Sequence, residues 1–314
     1  MRIEEFKDLP TGYSGAYFPT ALTAPGKVLW VAGDIDQDFG ASAAVRINTS
    51  GERTNALYYQ NYASPAFEGI AVGSDGALWL TDWGDEAIVR ITRHGGSETF
   101  PVQNSALSDI VAGPDGALWF AEVGAVGRIT TDGKITIYPA AKQRPDLAFA
   151  GIEDITVGPD KALWFTQMSA NAIFRTTTSG SLKEFTKGIS SNAGLTSIAT
   201  GPDGALWFTE AATGRIGRIT TRGKVTEYSK GITPPERPAG IAAGPDNAMW
   251  FTESEEPSSY YYSAAKIGRI TMSGKIAEYT VPTSTSDPTA IVAGPDGNMW
   301  FVEASADQMG RVDL

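Results

Sequence analysis

The sequence contains no cysteine and only one histidine, His94, among its 314 residues. The absence of cysteine excludes disulfide bonds, thiolate metal sites and cysteine nucleophiles. No run of about 18 apolar residues occurs, so no transmembrane helix and no membrane partner is predicted. No glycine-rich phosphate loop opens a helix, so nucleotide binding has no support.

Positive charge is also scarce. The 25 Lys and Arg residues face 36 Asp and Glu residues, which gives a net charge of −11 and argues against nucleic-acid binding. An acidic surface favours cations, cationic ligands or simple solubility. The first ten residues alternate apolar and polar side chains without the apolar core of a secretory signal. We therefore expect a cytoplasmic monomer, or a secreted protein if a signal peptide has been removed.

The chain does contain a repeat, whose clearest copy is Gly201-Pro-Asp-Gly-Ala-Leu-Trp-Phe-Thr-Glu210. Seven copies align on a tryptophan and are spaced by 40 to 50 residues, at Trp30, Trp79, Trp119, Trp164, Trp207, Trp250 and Trp300. A period of this length is typical of repeat architectures. We expect these tryptophans to pack between neighbouring repeats.

The fifth copy predicts four short strands, over residues 196–199, 205–210, 215–220 and 225–228. Its Pro-Asp-Gly sequence predicts a tight turn, because proline presets φ, aspartate caps the turn and glycine accepts a positive φ. Four antiparallel strands without helical periodicity indicate a β-propeller blade. The sequence thus predicts an all-β, seven-bladed propeller.

The two ends of the chain predict how the ring closes. The last copy ends after its third strand, whereas residues 2–6 resemble the fourth strand at residues 275–279 and have no blade before them. Pairing the first strand with the last blade would remove the exposed sheet edges of an open ring. We expect one domain covering residues 1–314.

Antiparallel order places the start of each first strand and the end of each second strand on the same face, here called the top face. The position eleven residues before the tryptophan supplies Glu68, Ser108, Glu153, Thr196, Ala239 and Thr289, with Thr20 in the first copy. The position three residues after it supplies Asp82, Glu122, Gln167, Glu210, Glu253 and Glu303. A tight acidic ring would need a cation, bound protons or hydrogen-bond donors. The alternative is that the second group caps backbone amides within each blade.

Aromatic side chains are predicted on the same face. An insertion at residues 254–265 carries Tyr260, Tyr261 and Tyr262, and Trp83 lies outside the repeat pattern. With Thr20 and Thr289, these residues are our candidates for ligand binding, since exposed aromatics offer large contact areas at low entropic cost. The alternative is a plain long loop.

The combination of residues 201–210 with 216–228, repeated at 244–253 and 267–279, resembles the streptogramin B lyase (virginiamycin B lyase) family. This resemblance implies Mg²⁺-dependent elimination that opens a cyclic depsipeptide lactone, with a histidine as base. Where the family has histidines in the last two blades, this chain has Ala239 and Thr289. Two acids remain in register, Asp287 and Glu303, and they are candidate ligands for Mg²⁺ or Ca²⁺. His94 falls in a predicted turn on the opposite face.

Three functions remain open. The first, which we favour, is a propeller that binds a small ligand, peptide or cation at the acidic mouth of its channel without the elimination. The second is an interaction scaffold that uses the loop carrying Tyr260, Tyr261 and Tyr262. The third is a divergent lyase or hydrolase, with Glu68, Glu153 or Glu303 as catalytic candidates and Mg²⁺ held by Asp287 and Glu303.

Overall fold

The computed structural model describes residues 1–6, 17–24, 26–35, 41–60, 66–102, 106–139, 151–234, 237–254 and 265–314. These residues form seven four-stranded antiparallel sheets, with almost no helix. The first strand of each sheet contacts the first strand of the next, and the last sheet returns to contact the first. The predicted seven-bladed propeller is therefore confirmed. None of the described helical segments is long and apolar enough to cross a membrane.

Each blade is numbered by its sheet, and its strands run in order from the channel outward. Blade 1 contains β2 (Tyr17–Thr23), β3 (Leu29–Ile35), β4 (Ala41–Ile47) and β5 (Arg53–Gln60). Blade 2 contains β6 (Phe67–Val72), β7 (Leu78–Asp82), β8 (Ala87–Ile91) and β9 (Ser97–Pro101). Blade 3 contains β10 (Leu107–Ala112), β11 (Leu118–Glu122), β12 (Ala125–Ile129) and β13 (Ile135–Pro139).

The remaining blades follow the same plan. Blade 4 contains β14 (Ile155–Val157), β15 (Leu163–Gln167), β16 (Ala172–Thr176) and β17 (Leu182–Phe185). Blade 5 contains β18 (Leu195–Thr200), β19 (Leu206–Glu210), β20 (Arg215–Ile219) and β21 (Val225–Tyr228). Blade 6 contains β22 (Arg237–Ala243), β23 (Ala248–Ser254), β24 (Lys266–Thr271) and β25 (Ile276–Thr280). Blade 7 contains β26 (Pro288–Ala293), β27 (Met299–Glu303), a 3₁₀ turn (Ala304–Ala306), β28 (Gln308–Asp313) and, from the other end of the chain, β1 (Arg2–Phe6).

The N-terminal strand closes the ring as the sequence predicts. Strand β1 pairs antiparallel with β28, from Arg2 opposite Asp313 to Phe6 opposite Met309. The Phe6 ring stacks on Trp300 with centroids 5.0 Å apart. Glu4 forms an ion pair with Arg311, with a nitrogen–oxygen distance of 2.6 Å. Pairing and packing both hold this strand in blade 7, so the two ends of the chain are joined without a covalent bond.

The repeated tryptophans pack between blades, as predicted. Six of the seven are fully buried, while Trp30 is half-buried. In blade 5, the Trp207 indole donates a hydrogen bond to Asp203 (3.1 Å), and Asp203 also forms an ion pair with Arg218 (2.6 Å). The same indole packs against Ile241 and other residues of blade 6. In blades 2 to 7 the indole thus donates to an aspartate four residues earlier in the same blade, whereas blade 1 has Gly26 at that position.

The glycine that opens the repeated turn is required by this packing. A Cβ atom built on Gly201 would overlap the indole of Trp207. The turn itself closes through the Gly204 amide, which donates to the Gly201 carbonyl (3.1 Å), and Gly204 has a φ of +71°. Glycine is thus required at position 201 by the close approach of the indole, and it is favoured at position 204 by the left-handed backbone conformation.

Candidate functional site

The first strands of the blades surround a cavity of about 540 Å³ on the channel axis. All seven residues that the alignment places eleven positions before the tryptophan line it: Thr20, Glu68, Ser108, Glu153, Thr196, Ala239 and Thr289. The next residues along these strands, which include Asp109, Asp154, Ser197 and Gly240, line it as well. The cavity therefore combines side chains from every blade.

The polar groups of the cavity are unevenly distributed. The four carboxyl groups among its described lining residues, Glu68, Asp109, Glu153 and Asp154, all come from blades 2, 3 and 4. Blades 5, 6, 7 and 1 contribute hydroxyl, aliphatic and glycine positions instead. No lysine, arginine or histidine is among the described residues that line it. One wall is thus acidic and the opposite wall is neutral.

Asp109, on β10, and Asp154, directly before β14, form a carboxyl pair between neighbouring blades. Asp154 accepts hydrogen bonds from the Ser197 hydroxyl (2.5 Å) and the Ile198 amide (2.8 Å). Asp109 accepts a longer one from the Ile155 amide (3.4 Å). Burial raises the pKa of both carboxyls, and the neighbouring Asp154 charge raises that of Asp109 further. Because the donors of Asp154 stabilise its anion, the pKa of Asp109 is raised further than that of Asp154.

Glu68 and Glu153 lie at the mouth of the cavity and are exposed. Partial burial of their carboxyl groups raises the pKa of each, and Asp34 adds to the effect at Glu68. These two groups are positioned to meet a molecule that enters from the top face.

The acids three positions after the tryptophan belong to a different layer. They are almost completely buried inside their blades and do not line the cavity. Asp82 accepts hydrogen bonds from the Ala66 amide (2.9 Å) and the Asp85 amide (3.2 Å). Glu210 accepts one from the Thr213 hydroxyl (2.9 Å). Asp82 therefore matches the alternative that these acids cap backbone amides of their own blade, whereas Glu210 accepts from a side-chain hydroxyl.

Glu303 and Asp287, the candidate metal ligands, lie at the top of blade 7. Glu303 is fully buried and accepts a hydrogen bond from the Gln308 amide group (3.0 Å). Asp287 has a φ of +49°, and its carbonyl accepts from the Ala304 amide (3.1 Å). Burial raises the pKa of Asp287. Within the described part of the chain, no group of three or more His, Cys, Asp or Glu side chains is arranged to hold a metal ion.

In blades 2, 4, 5 and 6, a threonine two positions after the tryptophan connects the blade to the next one, a role that the sequence analysis missed. Their hydroxyls donate 2.7–2.8 Å hydrogen bonds to carbonyls at the cavity wall of the next blade. These residues are Thr81, Thr166, Thr209 and Thr252. The recurrence of threonine in the Trp-Phe-Thr-Glu segment was the available signal. We call this contact the interblade threonine bond.

Blades 1 and 3 have alanine at that position, Ala32 and Ala121. There a hydroxyl of the cavity wall makes the connection instead. Thr20 donates to the Phe67 carbonyl of blade 2, and Ser108 donates to the Ile152 carbonyl just before blade 4 (2.5 Å). The hydroxyl of Thr20, a candidate ligand-binding residue, is therefore engaged in a hydrogen bond between blades 1 and 2. In blade 7, the buried Thr289 hydroxyl has no hydrogen-bond partner within the described residues.

The remaining candidates are placed as follows. Trp83 is 55% exposed on the loop after β7, and its amide donates to the Ala66 carbonyl (2.8 Å), two residues before Glu68. Tyr260, Tyr261 and Tyr262 lie outside the described residues. His94 is exposed in the turn between β8 and β9, which is on the face opposite the cavity.

The fold and the polar cavity define a seven-bladed propeller with a small-molecule-sized cavity on its axis. The chain matches the Virginiamycin B lyase family over residues 19–145 and 145–314. It belongs to that family. The resemblance seen in the repeated segments is thereby confirmed.

Solved structures agree with this assignment. A streptogramin B lyase is 31% identical with a TM-score of 0.80, over 100% of this chain and 97% of that one. A selenomethionine-substituted virginiamycin B lyase from Staphylococcus aureus is 33% identical with a TM-score of 0.82, over 100% and 99% of the two chains. A catalytically inactive histidine-to-alanine variant of the Staphylococcus aureus enzyme with quinupristin is 32% identical, with a TM-score of 0.82 and the same coverage. A comparison with curated proteins gave no match.

Proposed function

We propose that this chain is a ligand-binding propeller of the virginiamycin B lyase family that does not perform the family elimination. The observation that carries the proposal is the lack of an imidazole at the cavity. Its lining has Ala239 and Thr289 at the two positions where the resemblance leads us to expect histidine, and the only histidine in the sequence is exposed on the opposite face. A proton cannot be removed from a substrate in this cavity by the base that the family uses.

The cavity nevertheless has the properties of a binding site. Its volume of about 540 Å³ lies within the range of roughly 300–1,000 Å³ that small-molecule sites occupy. The catalytically inactive relative contains quinupristin, which supports the idea that a propeller of this type can hold a ligand without turning it over.

The direct test is incubation of the purified protein with Mg²⁺ and quinupristin, followed by mass spectrometry of the ligand. We expect no linear product, whereas the Staphylococcus aureus lyase serves as the positive control. Linearisation at an enzymatic rate would overturn the proposal. A cavity-filling variant, Ala239→Trp, provides the control for binding, because it should abolish any ligand-induced thermal shift seen with the native protein.

A second candidate function is a divergent lyase or hydrolase with a carboxylate base. The observation in its favour is that partial burial raises the pKa of Glu153 at the cavity mouth, which brings a carboxylate closer to the range of an effective base. Asp287 and Glu303 would hold Mg²⁺, since oxygen ligands suit this ion and a bound cation would favour the ionised form of Asp287. Glu303 would have to give up its hydrogen bond from Gln308.

This candidate is tested with the Glu303→Gln variant. It should lose both Mg²⁺ binding, measured by calorimetry, and turnover of any substrate identified. The matched control is Glu253→Gln, which alters the equivalent buried position of blade 6. Unchanged Mg²⁺ affinity in the Glu303→Gln protein would argue against the metal assignment.

A further inference from the structure

The charge of the cavity is not balanced from within. Four carboxyl groups face it from blades 2, 3 and 4, and no basic side chain is among its described lining residues. Even with one proton shared between Asp109 and Asp154, the pair retains one negative charge, and the mouth adds Glu68 and Glu153. Carboxylates in such a partly desolvated space are stabilised by an opposite charge within about 4–6 Å. An entering molecule can supply that charge.

The size of the cavity separates the kinds of cation that would fit. A volume of about 540 Å³ is far more than one ion with its ligands requires, and the described residues contain no three-ligand metal cluster. The wall opposite the carboxyls is built from Thr196, Ser197, Ala239, Gly240 and Thr289. This wall offers small apolar and hydroxyl surfaces, which suit the uncharged part of an organic molecule.

An exposed tryptophan, Trp83, follows the second strand of blade 2, the blade that carries Glu68. Trp83 is 55% exposed, and its backbone is hydrogen-bonded to Ala66 at the entry to the strand that carries Glu68. Large exposed aromatics next to carboxylates are suited to organic cations, because the ring face attracts positive charge. Trp83 is outside the repeat pattern, so blade packing does not account for it.

We propose that the cavity binds an organic cation, a small molecule bearing an amine or guanidinium group, with its charged end toward Glu68, Glu153 and the Asp109–Asp154 pair. Its neutral part lies against blades 5, 6 and 7, and Trp83 covers it at the rim. This inference rests on the proposed ligand-binding function and names the ligand class.

The test uses three probes with one indole skeleton and different charges: tryptamine (cation), tryptophol (neutral) and indole-3-acetate (anion). Binding is measured by isothermal titration calorimetry or ligand-observed NMR on the full chain. We expect tryptamine to bind at least about tenfold more tightly than tryptophol, since one charge contact at an effective dielectric near 20 exceeds the free energy of a tenfold change. Indole-3-acetate should bind more weakly than tryptophol.

Variants locate the contact. Glu153→Gln and Trp83→Ala should each weaken tryptamine binding several-fold and leave tryptophol affinity less affected. Both residues are exposed, so neither change should impair folding. Glu98→Gln is the matched control, because it removes the same charge from an exposed residue of the outer strand β9 and should leave tryptamine affinity unchanged.

The outcomes separate the two proposals. Equal or tighter binding of tryptophol or indole-3-acetate would overturn the cation inference while ligand binding stands. The same holds if quinupristin binds but none of the three indoles does. If Mg²⁺ or Ca²⁺ displaces tryptamine at lower concentration than tryptamine itself requires, the site is a metal site and the inference fails. If neither quinupristin nor any indole binds, both proposals are contradicted.

Discussion

The ring closure predicts a specific loss of stability when Phe6 is replaced by alanine. The ring stacks on Trp300 at 5.0 Å and lies so close to blade 1 that a Cβ atom on Gly51 would overlap it. Truncating a fully buried phenylalanine costs about 3–5 kcal/mol. Phe6 is half-buried, so the expected loss is about 1.5–3 kcal/mol. For a chain of this length, that corresponds to a fall in melting temperature of roughly 2–5 °C.

The assay is thermal unfolding followed by circular dichroism, and the comparison is with Phe100→Ala. Phe100 stacks on Trp79 at 5.6 Å and contacts blade 3 at Gly133 in the same manner, but its strand is covalently continuous with its blade. The two variants should lose similar stability. Deleting residues 1–6 should cost more than Phe6→Ala, because it also removes the ladder to β28 and the Glu4–Arg311 pair. If that deletion left the melting temperature unchanged, the strand would not stabilise the ring.

Three further predictions concern the blades. Thr209→Val should lower stability by about 1–2 kcal/mol in chemical denaturation, because it breaks the bond to the Ala239 carbonyl, whereas Thr226→Val on the exposed outer strand should have almost no effect. Gly201→Ala should cost about 1–3 kcal/mol by the same assay, since its Cβ meets the Trp207 indole, and an unchanged midpoint would refute that contact. Burial raises the pKa of Glu210 to about 8, so the folded state binds this proton more tightly than the unfolded state and stability should decrease as pH rises from about 4.5 to about 8. Glu210→Gln should therefore lose less stability than the native protein between these pH values, and parallel pH profiles of the two proteins would contradict the assignment.

The fold could be predicted from the sequence because its repeat unit is locally encoded. The spacing of the tryptophans, the Pro-Asp-Gly turns and the orphan strand at residues 2–6 each have a direct structural reason. In the fifth copy, the predicted strands agree with β18 to β21 within one residue at each end.

The candidate site could be predicted only in part. Antiparallel order was enough to bring Glu68 and Glu153 to one opening. It could not separate them from Glu210 and Glu303, which lie on the same face but are buried inside their blades. The interaction between the Asp109 and Asp154 carboxyl groups depends on the contact between two different blades. The two residues are 45 positions apart, so no local sequence pattern predicts it. The proposal of an organic cation depends on the charges of side chains from several blades, so it required the structure.

The interblade threonine bond decides which wall positions are able to diverge. In blades 2 and 4, Thr81 and Thr166 form the hydrogen bond to the next blade, so the side chains of Glu68 and Glu153 are not needed for it. In blades 1 and 3, the wall residues Thr20 and Ser108 form that hydrogen bond themselves. Wall residues of blades 2 and 4 can therefore be substituted without losing a bond between blades, whereas substitution of Thr20 or Ser108 would break one. Libraries for redesigning recognition should vary residues 68, 153 and 239 and keep residues 20 and 108 fixed.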